Sequence, residues 1–212
     1  EHAGIAKAQL GTYRMFALAI LAGAFIAMGA NFATTVWAGL GKVTINAGQE
    51  VAFSTAIPYG LQRLIGGLVF ATGLIMVVVG GSELFTGNCL IPMAWASRKV
   101  TTKAMLRNWI IVYLGNFVGS LVTAYFVFLG KQPTFGGGSV GFTALNIGVA
   151  KTSLEFVQCI FLAIFCNALV CMAVWLCFSA RTNTDKILCI LPPVSAFVAC
   201  GFEHCVANMY FI

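Results

Sequence analysis

Gly81-Ser82-Glu83-Leu84-Phe85-Thr86-Gly87-Asn88 interrupts an apolar run, 64–96, that is otherwise long enough to cross a bilayer. The same frame returns 120 residues later, at Gly201-Phe202-Glu203-His204-Cys205-Val206-Ala207-Asn208, with Gly two before a Glu and Asn five after it. A glutamate at the centre of a membrane costs roughly 2.5–3.5 kcal/mol or more, so two placed alike mark a functional midplane.

The rest of the composition fits that setting. Of the 212 residues, 60% are hydrophobic and 8% charged, and the mean hydropathy is +0.94, which leaves too little polar surface for a soluble globule. The sequence reads as an all-α polytopic membrane protein with no separate soluble domain, and its first residues do not read as a removable signal peptide. A net charge of +6 does not point to nucleic acid, because the basic residues sit singly between apolar spans, where topology signals belong. The eight cysteines lie almost all within spans and show no ligand spacing with histidine. They read as small buried hydrophobes, and neither a metal nor a cofactor is expected.

Uncharged stretches give the spans. Residues 15–37, between Arg14 and Lys42, suffice at ~1.5 Å per residue to cover a ~30 Å hydrocarbon core. A polar stretch follows at 42–63, holding Asn46, Gly48, Gln49, Glu50 and Pro58, with room for a short surface helix. Span two, 64–96, carries the first break, and Arg98, Lys99, Lys103 and Arg107 stop it. Span three is 108–130. The glycines and proline of 131–139 end it, and a loop is expected as far as Lys151. Span four is 156–180, and span five begins at 187 and carries the second break.

Eight of the twelve Lys and Arg fall at the amino terminus and in the loops after spans two and four, which makes the amino terminus cytoplasmic and Lys151 non-cytoplasmic. A sixth span is expected to be missing after 212. Spans one to three (about 12–130) and the chain from about 150 to 212 then read as inverted repeats within one channel domain, 1–212, with broken second and fifth transmembrane helices.

A helix that restarts at mid-membrane turns unpaired N–H groups and the positive end of its dipole toward the bilayer centre, which favours anions. Thr86 adds a hydroxyl there, and His204, the only histidine beyond the first two residues, adds an imidazole that titrates near physiological pH. Glu83 and Glu203 would repel an anion and read as supports that cap broken backbone or hold neighbours, His204 included. Asn88, Asn167 and Asn208 read as polar glue between helices, with Asn167 equally able to face a pore. Lys151 either pairs with Glu155 at i,i+4 or concentrates anions at a pore mouth. Phe70, Leu74, Leu84, Phe85 and Phe197 read as packing or as pore lining. Two rivals stand beside an anion pathway: an aquaporin-like channel for neutral solutes, and a membrane redox enzyme. The sequence lacks a phosphate loop, paired carboxylates beside a base, and a second membrane histidine for haem, so no enzyme is expected.

At these residues the sequence resembles the formate/nitrite transporter family. The stretch 81–88 is similar to the family's broken second helix, and 201–209 to its broken fifth. Asn108-Trp109 with Tyr113-Leu114-Gly115-Asn116-Phe117-Val118-Gly119 is similar to its third helix, and Cys166-Asn167-Ala168-Leu169-Val170-Cys171 with Ala173-Val174-Trp175 to its fourth. The resemblance implies an aquaporin-like fold assembled as a homopentamer in a bacterial-type inner membrane, with one pore in each protomer. Small monovalent anions would be the cargo: formate and nitrite first, hydrosulfide third, with protons as a possible co-substrate. It further implies that Phe70, Leu74, Leu84, Phe85 and Phe197 are constrictions, that Thr86 and His204 form the site between them, and that Lys151 is a vestibule lysine. Residues 149–155 lack the extra histidines that some formate-selective members carry after that lysine.

Overall fold

The computed structural model describes residues 1–39, 42–45, 51–54 and 57–212; the polar stretch 46–50 lies outside the described residues. Four helices are long and apolar enough to cross a membrane: α2 (Thr12–Gly39), α3 (Tyr59–Val79), α6 (Thr102–Leu129) and α8 (Phe156–Leu176). Around them stand α1 (His2–Ala8), the short α4 (Phe85–Asn88) and α5 (Ile91–Ala96), α7 (Ser139–Thr152), α9 (Asn183–Ala199) and α10 (Cys205–Phe211). Within 42–63, where a surface helix had room, β1 (Lys42–Ile45) pairs antiparallel with β2 (Val51–Ser54).

Small residues decide how the spans pack. Ala19, Ala22, Gly23, Ile26, Ala27 and Ala30 of α2 are all but sealed from solvent, and Ala19 and Gly23 meet Gly115 and Asn116 of α6. A Cβ on Gly119 would lie 2.0 Å from the Ile20 carbonyl oxygen, and one on Gly23 2.1 Å from that of Asn116, so the two backbones touch. In a membrane, where lipid is as apolar as leucine, such close approach replaces the hydrophobic effect as the source of helix association. The α3–α9 crossing uses Gly67 in the same way, against the Ser195 backbone at 2.8 Å.

Both polar stretches interrupt their helices by one device. After Val79, Gly81 adopts φ +67°, and the N–H of Ser82 returns to the Val77 carbonyl at 2.9 Å. After Ala199, Gly201 adopts φ +73°, and the N–H of Phe202 returns to the Phe197 carbonyl at 3.0 Å. Each is a glycine-terminated helix end in which the left-handed residue closes the last carbonyls. The next N–H, that of each glutamate, goes to another helix: Glu83 to the Leu18 carbonyl of α2 at 3.2 Å, Glu203 to the Leu162 carbonyl of α8 at 3.4 Å. The chain then turns helical again at Phe85 and at Cys205.

The expected loop up to Lys151 is replaced by α7. Three successive left-handed glycines, Gly136, Gly137 and Gly138, make the whole turn, which frees Ser139 onward to form a helix against α2. Lys151 therefore sits in the last turn of α7, on a different helix from Glu155, the N-cap of α8.

Candidate functional site

The extended residues Leu84 and His204, with φ −107° and −101°, cap α4 and α10 and bring the two breaks together. His204 Nδ1 accepts the Ala207 N–H at 3.0 Å, so a neutral ring carries its hydrogen on Nε2. That nitrogen stands 3.1 Å from Thr86 Oγ1, both residues being buried at 4% and 3% exposure. When Nε2–H donates to the threonine oxygen, the threonine hydrogen is left to donate elsewhere. The half-helix donors are partly engaged already, since the Phe85 N–H goes to Asn116 Oδ1 at 2.9 Å and the Ala207 N–H to His204 itself.

Aromatic and aliphatic side chains flank this pair. Phe197 stacks on the His204 ring at 5.7 Å and 14°, and Phe70 meets Phe197 edge-on at 5.8 Å. On that side lies a small cavity of about 60 Å³ lined by Phe70, Phe197, His204, Arg63 and Lys151. Leu74 and Leu84, both buried, face a separate cavity of about 420 Å³ with Lys7, Ser82, Glu83 and Lys186. Phe85 lies elsewhere. It packs edge-on against Tyr113 at 5.2 Å and Trp109 at 6.2 Å, and lines a third space of about 450 Å³ together with Thr86, Asn167, Glu203 and His204. Among the described residues, Asn167 Oδ1 is buried there with no hydrogen-bond partner.

The glutamates hold lysines and asparagines. Glu83 Oε1 receives Lys7 Nζ at 2.8 Å, and its Oε2 receives Asn88 Nδ2 at 2.8 Å. Glu203 Oε2 receives Lys151 Nζ at 2.7 Å and Asn208 Nδ2 at 2.8 Å. Each break thus carries a Lys–Glu–Asn cluster that compensates a buried carboxylate with a cation and an amide. Among the described residues no hydrogen bond runs from Glu203 to His204. Neighbouring side chains on an extended segment point to opposite sides, so the acid and the imidazole part company.

Three contributors escaped the reading of the sequence. Lys7 looked like a topology charge, yet it reaches Glu83 across 76 positions. Asn108 accepts from Asn88 at 2.9 Å and donates to the Lys7 carbonyl at 3.1 Å. Asn116 donates to the carbonyls of Ala19 at 2.8 Å and Glu83 at 3.0 Å, pinning the break to α2. The available signal was two asparagines eight positions apart on one otherwise apolar span, a spacing that puts both on one helix face.

Comparison with known proteins points to one family. The family model described as Formate/nitrite transporter matches residues 1–212. The formate channel FocA of Haemophilus influenzae is 42% identical over 212 residues, all of this chain and 70% of that protein. A probable formate transporter of Methanothermobacter thermautotrophicus is 37% identical over 97% of this chain and 75% of its own length. Among solved structures, a pentameric formate channel with formate bound superposes with a TM-score of 0.82 at 41% identity, over 94% of this chain and 72% of that one. An FNT family ion channel superposes with a TM-score of 0.82 at 26% identity, over 99% of this chain and 78% of that one. These relatives are named as channels and transporters, not enzymes. With four membrane-crossing helices and a family match along its whole length, the chain is a multi-pass membrane protein that belongs to the formate/nitrite transporter family.

Proposed function

We propose that the chain is one pore-bearing domain, 1–212, of a homopentameric channel for small monovalent anions. Formate is the leading cargo; nitrite and hydrosulfide share its charge and small size. The observation that carries the reading is the buried Thr86–His204 pair at 3.1 Å, where two interrupted helices meet between Phe70 with Phe197 on one side and Leu74 with Leu84 on the other. The apolar residues strip water from the permeant, and Thr86 O–H supplies a hydrogen bond in its place. Asn167 offers an amide beside the same space, while Phe85 supports the break from the third-helix side. Lys151, held by Glu203, which also accepts from Asn208, shapes the mouth on the Phe197 side, and Glu83 with Asn88 does the same for the other.

The two Gly–Glu–Asn frames support an aquaporin-like inverted repeat, about 12–130 against about 150–212. The excess of Lys and Arg at the amino terminus and after spans two and four supports a cytoplasmic amino terminus in an inner membrane. The test is flux of formate, nitrite and hydrosulfide into proteoliposomes at several pH values, for the wild type and His204→Ala. Saturable, mutually competitive anion flux whose pH profile changes in the variant is expected. Osmotic water or glycerol flow without anion competition would overturn the reading in favour of a neutral-solute channel.

A further inference from the structure

The carbonyl of Val198, next in the chain to Phe197, takes two donors: the Gly201 N–H at 3.1 Å, which closes the helix end, and Nη2–H of Arg63 at 2.7 Å. A Cβ on Gly201 would lie 3.6 Å from the same Arg63 nitrogen, so the guanidinium sits directly against the left-handed turn of the second break. A cation is favoured there, because the last carbonyls of α9 carry the negative end of its dipole. Arg63 is itself held. Its guanidinium lies over the ring of the buried Trp37 at 5.1 Å. Trp37 in turn donates Nε1–H to the Gln62 carbonyl at 3.0 Å and presses on α3, where a Cβ at Gly66 would lie 2.1 Å from that indole nitrogen. Three helices thus meet at one carbonyl: α2 through Trp37, α3 through Arg63 and α9 through Val198 itself.

The first break has no such clamp. Its corresponding carbonyl, that of Val78, 120 positions earlier, accepts the Gly81 N–H at 3.4 Å, but among the described residues no side chain donates to it. The difference matters because of what the two clamped helices carry nearby. Phe197 precedes the clamped residue, and Phe70 stands seven positions along α3 from Arg63, two turns away on the same face. Their rings meet edge-on at 5.8 Å, so the Arg63–Val198 bond ties the backbone of one ring to that of the other. We infer that Arg63 is a positioning residue that clamps the end of α9 to α3, holds Phe197 at its distance from Phe70, and thereby sets the largest anion that passes between them. The inference rests on the anion-transport reading above. Releasing the clamp frees the end of α9 to move and the slit to widen, which favours a permeant one methyl group larger than formate.

The experiment uses the full chain in proteoliposomes and compares initial uptake of acetate with that of formate, two anions that differ by one methyl group. Both are monovalent, so loss of the Arg63 charge scales them alike and their ratio reads geometry alone. Arg63→Met is expected to raise the acetate-to-formate ratio about tenfold, the discrimination that a fitted apolar wall achieves against one such group. Arg63→Lys, whose ammonium reaches the same carbonyl, should stay near the wild-type ratio. Trp37→Leu keeps the cation and removes its support, so the ratio should rise there too, and this variant decides the matter if Arg63→Met does not fold. Osmotic water permeability of the same liposomes, which needs no anion, should rise in step as the apolar slit opens. An unchanged ratio with unchanged water permeability in the variants, or an equal rise in Arg63→Lys, overturns the positioning role. Absence of formate uptake by the wild type overturns the transport reading instead, and the water permeability of the variants then decides the role of Arg63.

Discussion

Replacing Lys151 with Met removes one half of a pair whose members are 16% and 9% exposed and 2.7 Å apart. At an effective dielectric constant near 20, a 2.7 Å pair attracts by ~6 kcal/mol, most of which offsets the desolvation of both ions. Stranding one member of a buried pair costs about 3–5 kcal/mol. The lower figure applies here, because the Asn208 amide still donates to the Glu203 carboxylate at 2.8 Å. Lys151→Met is therefore expected to cost about 3 kcal/mol, and Glu203→Gln a similar amount, since it leaves the ammonium without its carboxylate. The double variant strands neither ion, and Gln at 203 still accepts from Asn208. It is expected to cost no more than either single change, a coupling of about 3 kcal/mol. The measurement is unfolding of the reconstituted protein by increasing fractions of denaturing detergent, followed by tryptophan emission for all four members of the cycle. Formate flux supplies the second column: it should collapse in Lys151→Met and return in the double variant. Additive single effects, near 6 kcal/mol together, would refute the view that the pair acts as a unit.

Thr86→Val keeps the volume of a buried side chain and removes the hydroxyl 3.1 Å from His204 Nε2, and is expected to lower formate flux about tenfold with folding intact, as read in proteoliposomes. Gly119→Ala places a Cβ 2.0 Å from a backbone oxygen, so α2 and α6 must move apart; a loss of more than about 3 kcal/mol is expected in detergent unfolding. Gly137→Ala, which meets nothing within 4 Å and pays only for its left-handed φ of +64°, should lose about 1–2 kcal/mol. The Asp185 carboxyl is held below its usual range by the backbone N–H groups of Thr182 and Arg181 and by the Thr182 hydroxyl, in the box that caps α9. Its folded-state value is the depressed one, so its contribution is complete above the ordinary carboxylate range and is lost as pH falls through the lower value. Acid titration of unfolding should show that extra loss in the wild type and not in Asp185→Ala.

The positions of four of the five expected spans were legible because lipid imposes length and apolarity on any crossing helix, and the charges that stop each one stand out in a chain that is 8% charged. The breaks were legible too, since Gly81 and Gly201 each precede a glutamate that no uninterrupted lipid-facing helix would carry. Helix α7 was not: three left-handed glycines look like the start of a long loop, and nothing local says that the helix resumes at Ser139. Phe85 could be placed near the first break, but its rotation toward Trp109 and Tyr113 depends on the third helix behind it.

Sequence by itself determined the class, four of the spans, the doubled frame and the residue types at each break, because these follow from composition, spacing and the cost of charge in hydrocarbon. Only the tertiary structure decided the partners. Lys151 has Glu155 four positions away yet binds Glu203, 52 positions on, because α7 ends between the first pair and the fold delivers the second. Lys7 and Glu83, Asn116 and Ala19, and Thr86 and His204 likewise meet only once the helices cross, since a contact between distant positions is set by packing geometry that no local spacing encodes.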